Sequence, residues 1–334
     1  MRDHFLRLKA ADRAQILDTV AQRVHRDPVV LEKDVWVCWS LSALFDTPDR
    51  LSMAFKGGTS LSKVFGAIAR FSEDIDVTVD HRALDETLDP FAAGLSRSRL
   101  KALSVKLAAK LRAHVHEIIA PRMRDRLSTD VGASGYSVEV SDDGEKLRVR
   151  YRSALRKGRG YLDTSVLLEF GGRNTTTPSS LHEVIADVSL HVEELEFPRA
   201  MVPVLSPTRT FWEKATLMHS ECNRPIFRTG ATRLARHWYD LAMLADLEHG
   251  RAALADRALL ADVVRHKKVF YNSRVANYDA CLAGGLRLVP DANAVELLRA
   301  DLARMIEAGM FVGAPPVHDD IISRLKALEG EINR

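Results

Sequence analysis

The chain has 334 residues, 46% hydrophobic and 28% charged, with a net charge of +3. That balance builds a packed core and excludes a disordered or fibrous polypeptide. No run approaches the roughly 20 apolar residues of a membrane span, and the polar start MRDHFLRLKAADRAQ lacks the apolar region of a secretory signal, so a cytoplasmic protein with no membrane partner is expected. Three widely spaced cysteines, Cys38, Cys222 and Cys281, make neither a disulfide framework nor a zinc knuckle and fit a reducing compartment.

In chain order, the pattern predicts helices over 4–24 and 29–45, broken by the HRDP segment at 25–28. A short strand follows at 51–55, then Gly57-Gly58, a helix over 59–69 and a strand over 74–79. Leu100, Leu103, Leu107, Leu111, Val115 and Ile118 recur at spacings of three and four and predict a long helix over 98–120. Strands are predicted at 146–152, which alternates strictly, and at 162–170, an apolar run ending at Gly171-Gly172. Ser206 and Pro207 read as the cap and first position of a helix. Helices are expected over 208–222, 231–248, 251–268, 290–309 and 317–332. The predicted fold is therefore α+β, with residues 1–204 carrying the strands and N-terminal helices and residues 205–334 forming a helical C-terminal domain. Trp36, Trp39, Trp212 and Trp238 lie at core-like helical positions, where packing is the expected role.

The stretch from Lys56 to Asp76, KGGTSLSKVFGAIARFSEDID, carries the chemistry. Gly57 and Gly58 let the backbone approach a phosphate. Thr59, Ser60 and Ser62 open a helix whose free N–H groups favour an anion, and Lys63 lies on its first turns. On a strand, residues i and i+2 share a face, so Asp74 and Asp76 present both carboxylates together while Ile75 and Val77 face the core. Two adjacent carboxylates repel unless a cation lies between them, and Mg²⁺ prefers a few carboxylates plus substrate phosphate oxygens. This is the layout of a metal-assisted phosphoryl-transfer site, with Mn²⁺ the alternative ion.

These residues resemble the AbiEii/AbiGii-type nucleotidyltransferases, which include the MenT toxins and belong to the polymerase-β-like superfamily. The resemblance rests on Phe55–Asp76 (FKGGTSLSK…RFSEDID). It is extended by Glu32-Lys33-Asp34-Val35-Trp36, by FWEKATLMH with Lys214, and by Arg236-His237-Trp238-Tyr239-Asp240-Leu241. Fifteen residues separate Gly58 from Asp74, more than the shortest superfamily spacing, and His237 stands where relatives often carry Asp. The resemblance implies a polymerase-β-like core with a helical C-terminal region and transfer of a nucleotide from an NTP with release of pyrophosphate. It implies that Lys214 contacts the nucleotide phosphates alongside Gly57, Gly58, Thr59, Ser60 and Lys63, and that Asp240 completes the pocket. It implies a third carboxylate from a neighbouring strand, with Glu169 the candidate and Asp163 the alternative. It further implies an RNA acceptor such as the tRNA 3′ end, a toxin role, and a separately encoded winged-helix antitoxin.

Read without the family, Lys214 is a lysine on an amphipathic helix and Asp240 a surface acid paired with Arg236 at i−4. Two further function classes stay open: a nucleotidyltransferase acting on a small molecule, and a nucleotide-binding module without turnover. The charge distribution bears on the acceptor. Residues 97–126 hold nine Lys/Arg and residues 146–160 hold seven with no acid. Lys146, Arg148, Arg150 and Arg152 share one face of a strand over about 20 Å, and Arg156 extends the run. Such a stripe suits a phosphate backbone; the alternative is an edge strand charged against sheet-to-sheet pairing.

Overall fold

The computed structural model describes residues 3–132, 134–155, 164–227, 234–271 and 273–334. They group into two compact units. One comprises Met1–Ser60, Glu73–Leu88 and Leu103–Val204, the other Leu61–Ser72, Asp89–Ala102 and Leu205–Arg334.

The chain begins with β1 (Asp3–His4), α1 (Ala10–Val24), α2 (Pro28–Phe45), β2 (Met53–Lys56), α3 (Gly57–Lys63), β3 (Ile75–Asp80) and α4 (His81–Leu84). Two helices, α5 (Arg97–His114) and α6 (Ala120–Val131), are joined by a π-turn over Val115–Ile119. Then come β4 (Ser137–Val140), β5 (Lys146–Arg150), β6 (Ser165–Asn174), β7 (Ser179–Ile185), β8 (Leu195–Glu196) and β9 (Arg199–Leu205). The remainder is helical: α7 (Pro207–Cys222), α8 (Ala235–Ala245), α9 (Glu248–Ala255), α10 (Arg257–Phe270), α11 (Ala292–Glu307) and α12 (His318–Ile332).

Seven strands form one mixed sheet in the order β4-β5-β6-β3-β2-β9-β7, and β1 pairs with β8 separately. The β3–β6 and β2–β9 pairs are parallel; β2–β3, β4–β5 and β5–β6 are antiparallel. Alternation gives the central strands one apolar face, with Ile75, Val77, Leu147, Val149, Val166, Leu168 and Phe170 all buried. Helices α4 and α5 cover it through Leu84 and Leu111, which lie so close to Gly172 that a Cβ there would meet Leu84 Cδ1 at 2.6 Å. The other face carries the charged residues described below.

Helix α2 starts where Asp27 accepts a hydrogen bond from the Val29 N–H, with Pro28 at the first position. Every residue from Leu31 to Phe45 is buried, so this helix runs through the core of the first unit. In the second unit the core gathers Phe211, Trp212, Trp238, Leu241, Leu260, Leu298 and Leu325. Ser206 caps α7 by accepting from the Thr208 N–H, as the sequence predicts.

Several boundaries differ from expectation. The first helix begins at Ala10, after β1 and a 3-10 turn at Phe5–Arg7. The helix predicted at 98–120 continues through the π-turn into α6, because apolar spacing persists past Pro121 in Met123 and Leu127, both buried, and a proline is tolerated in the first turn of a helix. Gly171 and Gly172 lie inside β6 rather than ending it, because the close approach of Leu84 and Leu111 needs a residue without a Cβ at Gly172. The helix predicted at 251–268 is two helices, split where Asp256 turns its side chain to cap α10 at the Leu259 N–H. Strands β4, β7 and β9 were not expected; β9 contains Pro203, which read as a boundary.

All four tryptophans are at most 2% exposed. Trp36 stacks on Tyr151 at 4.9 Å between ring centroids and meets Trp39 edge-on at 5.7 Å. Trp36→Ala is expected to lower unfolding free energy by about 3–5 kcal/mol, measured by denaturant titration of the purified chain.

Candidate active site

Asp76 lies on β3, and Asp74 immediately precedes that strand. Both are half-buried while Ile75 and Val77 between and beyond them are fully buried, so the two acids share the face away from the helices. Strand pairing then builds a row across the sheet. Lys56 on β2 is opposite Asp76, Asp76 is opposite Glu169 on β6, and Glu169 is opposite Lys146 on β5. Directly paired residues on neighbouring strands point to the same side, so the row reads Lys–Asp–Glu–Lys on one face. Lys146 Nζ lies 3.2 Å from Glu169 Oε1. Asp163, the alternative third acid, lies outside the described residues.

Gly57 begins α3 with φ +80°, a left-handed conformation that L side chains rarely adopt. The Asp76 carboxylate occupies the space where a side chain would project: a Cβ at Gly57 would overlap Oδ2 and lie 2.7 Å from Cγ. The glycine thus makes room for the carboxylate. Thr59 and Ser60 are buried, and their hydroxyls donate to backbone carbonyls, Thr59 to Asp74 at 2.5 Å and Ser60 to Gly57 at 2.9 Å. Thr59 thereby ties the start of α3 to the residue that enters β3. Gly58 is buried, and Lys63 is half-buried at the last position of α3.

A third acid on the same stretch, Asp80, is differently engaged. It caps α4 at the Arg82 N–H, takes the Arg82 guanidinium at 2.6–2.9 Å, and accepts from Thr176. Burial alone would raise its pKa, but Arg82 more than offsets this and holds it at about 2. Asp80 is a structural carboxylate.

Hard oxygen donors suit a divalent cation of the Mg²⁺ type. Asp74 and Asp76 fit that role, and the clearance that Gly57 leaves beside Asp76 is consistent with it. Glu169 is turned onto Lys146, and among the described residues no three His, Cys, Asp or Glu side chains already converge as a ligand set.

In the second unit, Asp240 is completely buried and binds two cations. Arg70 donates to it in bidentate fashion, Nε to Oδ1 at 2.7 Å and Nη2 to Oδ2 at 2.8 Å, and Lys214 Nζ lies 2.9 Å from Oδ2. The i−4 partner expected from sequence, Arg236, is replaced by these two. Burial would raise the Asp240 pKa, but Arg70 and Lys214 outweigh it and hold the carboxyl well below the usual range. Burial lowers the Lys214 pKa against the pull of Asp240. His237 Nδ1 lies 3.4 Å from Lys214 Nζ, and burial, with the Lys214 charge, keeps this imidazole neutral. One buried carboxylate thus serves both Arg70 and Lys214. Arg70 and His237 had no role in the sequence reading.

The basic residues of β5 lie on the carboxylate face, since Lys146 pairs with Glu169 there and Arg148 and Arg150 share its parity. Arg148 donates to Ser165 Oγ at 2.9 Å, and Arg150 pairs with Glu139 at 2.8 Å. Arg152 is exposed just beyond the strand, and Arg156 lies outside the described residues. A cavity of about 550 Å³ elsewhere in the first unit is lined by Glu183, Leu190, Glu196 and Phe197 and by none of these residues.

A mixed sheet that carries a D-x-D pair after a Gly-Gly–helix turn, with a glutamate on the adjoining parallel strand, has the layout expected of a nucleotidyltransferase. The family model for the nucleotidyl transferase AbiEii toxin of type IV toxin–antitoxin systems matches residues 39–324. The chain belongs to that family and is a nucleotidyltransferase. Among solved structures, MenT4, a nucleotidyltransferase toxin from Mycobacterium tuberculosis, is similar in fold at 19% identity with a TM-score of 0.50, over 95% of this chain and 92% of that one. No curated protein sequence matches the chain.

Two outcomes follow from the geometry. Gly57→Ala and Gly66→Ala each place a side chain at positive φ, but only Gly57 has the Asp76 carboxylate in the way; the space beside Gly66 is open. Both variants are expected to lose about 1–2 kcal/mol of stability, and only Gly57→Ala is expected to lose nucleotide transfer, read by label incorporation at matched folded concentration. Asp240→Asn leaves two buried cations short of a carboxylate and is expected to cost about 3–5 kcal/mol at pH 7. Because the folded Asp240 pKa is depressed, its stabilisation is fully present above the unfolded value of about 4 and is lost as pH falls toward the folded value. The stability gap between wild type and Asp240→Asn is therefore expected to narrow below about pH 4, as measured by denaturant titrations across pH.

Proposed function

We propose that this chain transfers a nucleoside monophosphate from an NTP to an RNA acceptor, the tRNA 3′ end being the first candidate, in a reaction that depends on Mg²⁺ or Mn²⁺. The observation that carries the reading is the row on one face of the sheet: Asp76 beside Glu169, Asp74 next to them, and the basic stripe of β5 on the same side. Asp74 and Asp76 hold the metal. A divalent ion held there would supply charge neutralisation for the triphosphate and pyrophosphate and would lower the proton affinity of the acceptor hydroxyl. Glu169 lies one strand from Asp76, where it orients that hydroxyl. In the first unit Gly57, Gly58, Thr59 and Ser60 form the turn proposed for the triphosphate; the phosphate-contacting roles of Lys63 and of Lys214, which Asp240 holds, rest on the resemblance.

The RNA part of the proposal rests on β5. A charged edge strand needs no ligand to explain it, but β5 lies between β4 and β6 and has no free edge. The pairs made by Lys146 and Arg150 are substantially exposed; such pairs contribute little and give way readily to phosphate. As a toxin of a type IV system the chain acts in the cytoplasm, where tRNA is found, with a winged-helix antitoxin opposing it. Among the described residues no helix is long and apolar enough to cross a membrane.

Asp76→Ala is expected to stay folded and to abolish transfer; substantial transfer by a folded Asp76→Ala protein would remove Asp76 from the site. Reversal of Arg148, Arg150 and Arg152 to Glu is expected to reduce transfer to tRNA by roughly tenfold or more while NTP affinity is retained, and wild-type transfer should fall steeply with added salt. Undiminished tRNA modification by the triple variant would favour a small-molecule acceptor.

A further inference from the structure

Three consecutive charges, Glu32, Lys33 and Asp34, lie on the first turns of the otherwise apolar helix α2, exposed by only 2%, 2% and 8%. Burying a charge is costly unless it is paired. Successive helical positions are about 100° apart, so the three side chains reach three different segments. Glu32 accepts from Ser153 Oγ at 2.5 Å and from the Ala154 N–H at 2.6 Å. Asp34 accepts from the Asp187 N–H at 2.7 Å. Lys33 donates to Glu73, with side-chain exposures of 3% and 15%.

Glu73 directly precedes Asp74. Asp74 is held from the other side by Thr59, which donates to its carbonyl. The segment entering β3 is therefore pinned on both flanks of its first metal-directed carboxylate, by a buried ammonium on one side and a buried hydroxyl on the other. Glu32 does the same for Ser153 and Ala154, which follow the basic strand β5.

We infer that Lys33 is a positioning residue for the Asp74–Asp76 pair, acting through Glu73, and that one turn of α2 sets both the carboxylates and the chain that leaves β5. This rests on the proposed active site and adds to it a residue that acts through Glu73. Loss of such an outer partner costs about 10–100-fold in metal affinity or activity, whereas a purely structural ion pair would lower stability alone.

The test is Mn²⁺ binding to the full chain without nucleotide, followed by electron paramagnetic resonance, together with kcat and KM for the NTP. Wild type is expected to bind Mn²⁺ in a manner that Asp76→Ala abolishes. Lys33→Met and Glu73→Gln are each expected to weaken Mn²⁺ binding by about tenfold or more and to lower kcat with a smaller change in KM. The Lys33→Met/Glu73→Gln double variant is expected to be no worse than either single, and Lys33→Arg to recover most of the loss. Should Lys33→Met fail to fold, Glu73→Gln carries the same comparison, since Glu73 is the more exposed partner. If the folded variants lose stability yet bind Mn²⁺ and turn over as wild type does, the positioning role is overturned. If wild-type Mn²⁺ binding is indifferent to Asp76→Ala, the active-site proposal fails and this inference with it.

Discussion

Like charges held side by side are the constraint on which this structure turns. The parallel pairing of β3 with β6 sets Asp76 opposite Glu169, on strands about 4.8 Å apart, with Asp74 on the same face. Left alone, such carboxylates repel. The sheet answers with lysines at both ends of the row, Lys56 and Lys146. The arrangement is held rather than relaxed. Gly57 has no side chain where the Asp76 carboxylate must pass, Thr59 fixes the Asp74 carbonyl, and Lys33 fixes Glu73. Carboxylates gathered in this way suit a divalent cation, the role proposed for them above, and the chain belongs to a nucleotidyltransferase family.

The second unit shows the opposite sign. Arg70 and Lys214 share Asp240 in a fully buried cluster, and His237 beside them is kept neutral by its surroundings.

Much of this was legible in the sequence, for local reasons. The Phe55–Asp76 block encodes a strand, a glycine turn, a helix and a second strand within about one supersecondary unit, so spacing alone puts Asp74 and Asp76 on one face. The Ser206–Pro207 cap is likewise a short-range signal. What escaped notice depends on partners far away in the chain. Arg70 meets Asp240 across 170 residues, and Lys33 meets Glu73 across 40; neither pairing leaves a local trace beyond a charge in an apolar run. Gly171-Gly172 reads as a strand end but lies within β6, because its meaning depends on Leu84 and Leu111 packing against it. Strand β9 was hidden by Pro203 and by its use of long-range parallel pairing with β2.

The sheet also orders the account of the acceptor, since the basic residues of β5 lie on the carboxylate face of a strand with no free edge. The most direct test of the central claim follows the phosphorus. Wild-type protein is incubated with Mg²⁺, total tRNA and each NTP labelled in turn at the α- or the γ-phosphate. The account predicts that α-label enters RNA as pyrophosphate is released, while γ-label never does. γ-Label in the RNA, or α-label found only in small molecules, would contradict it.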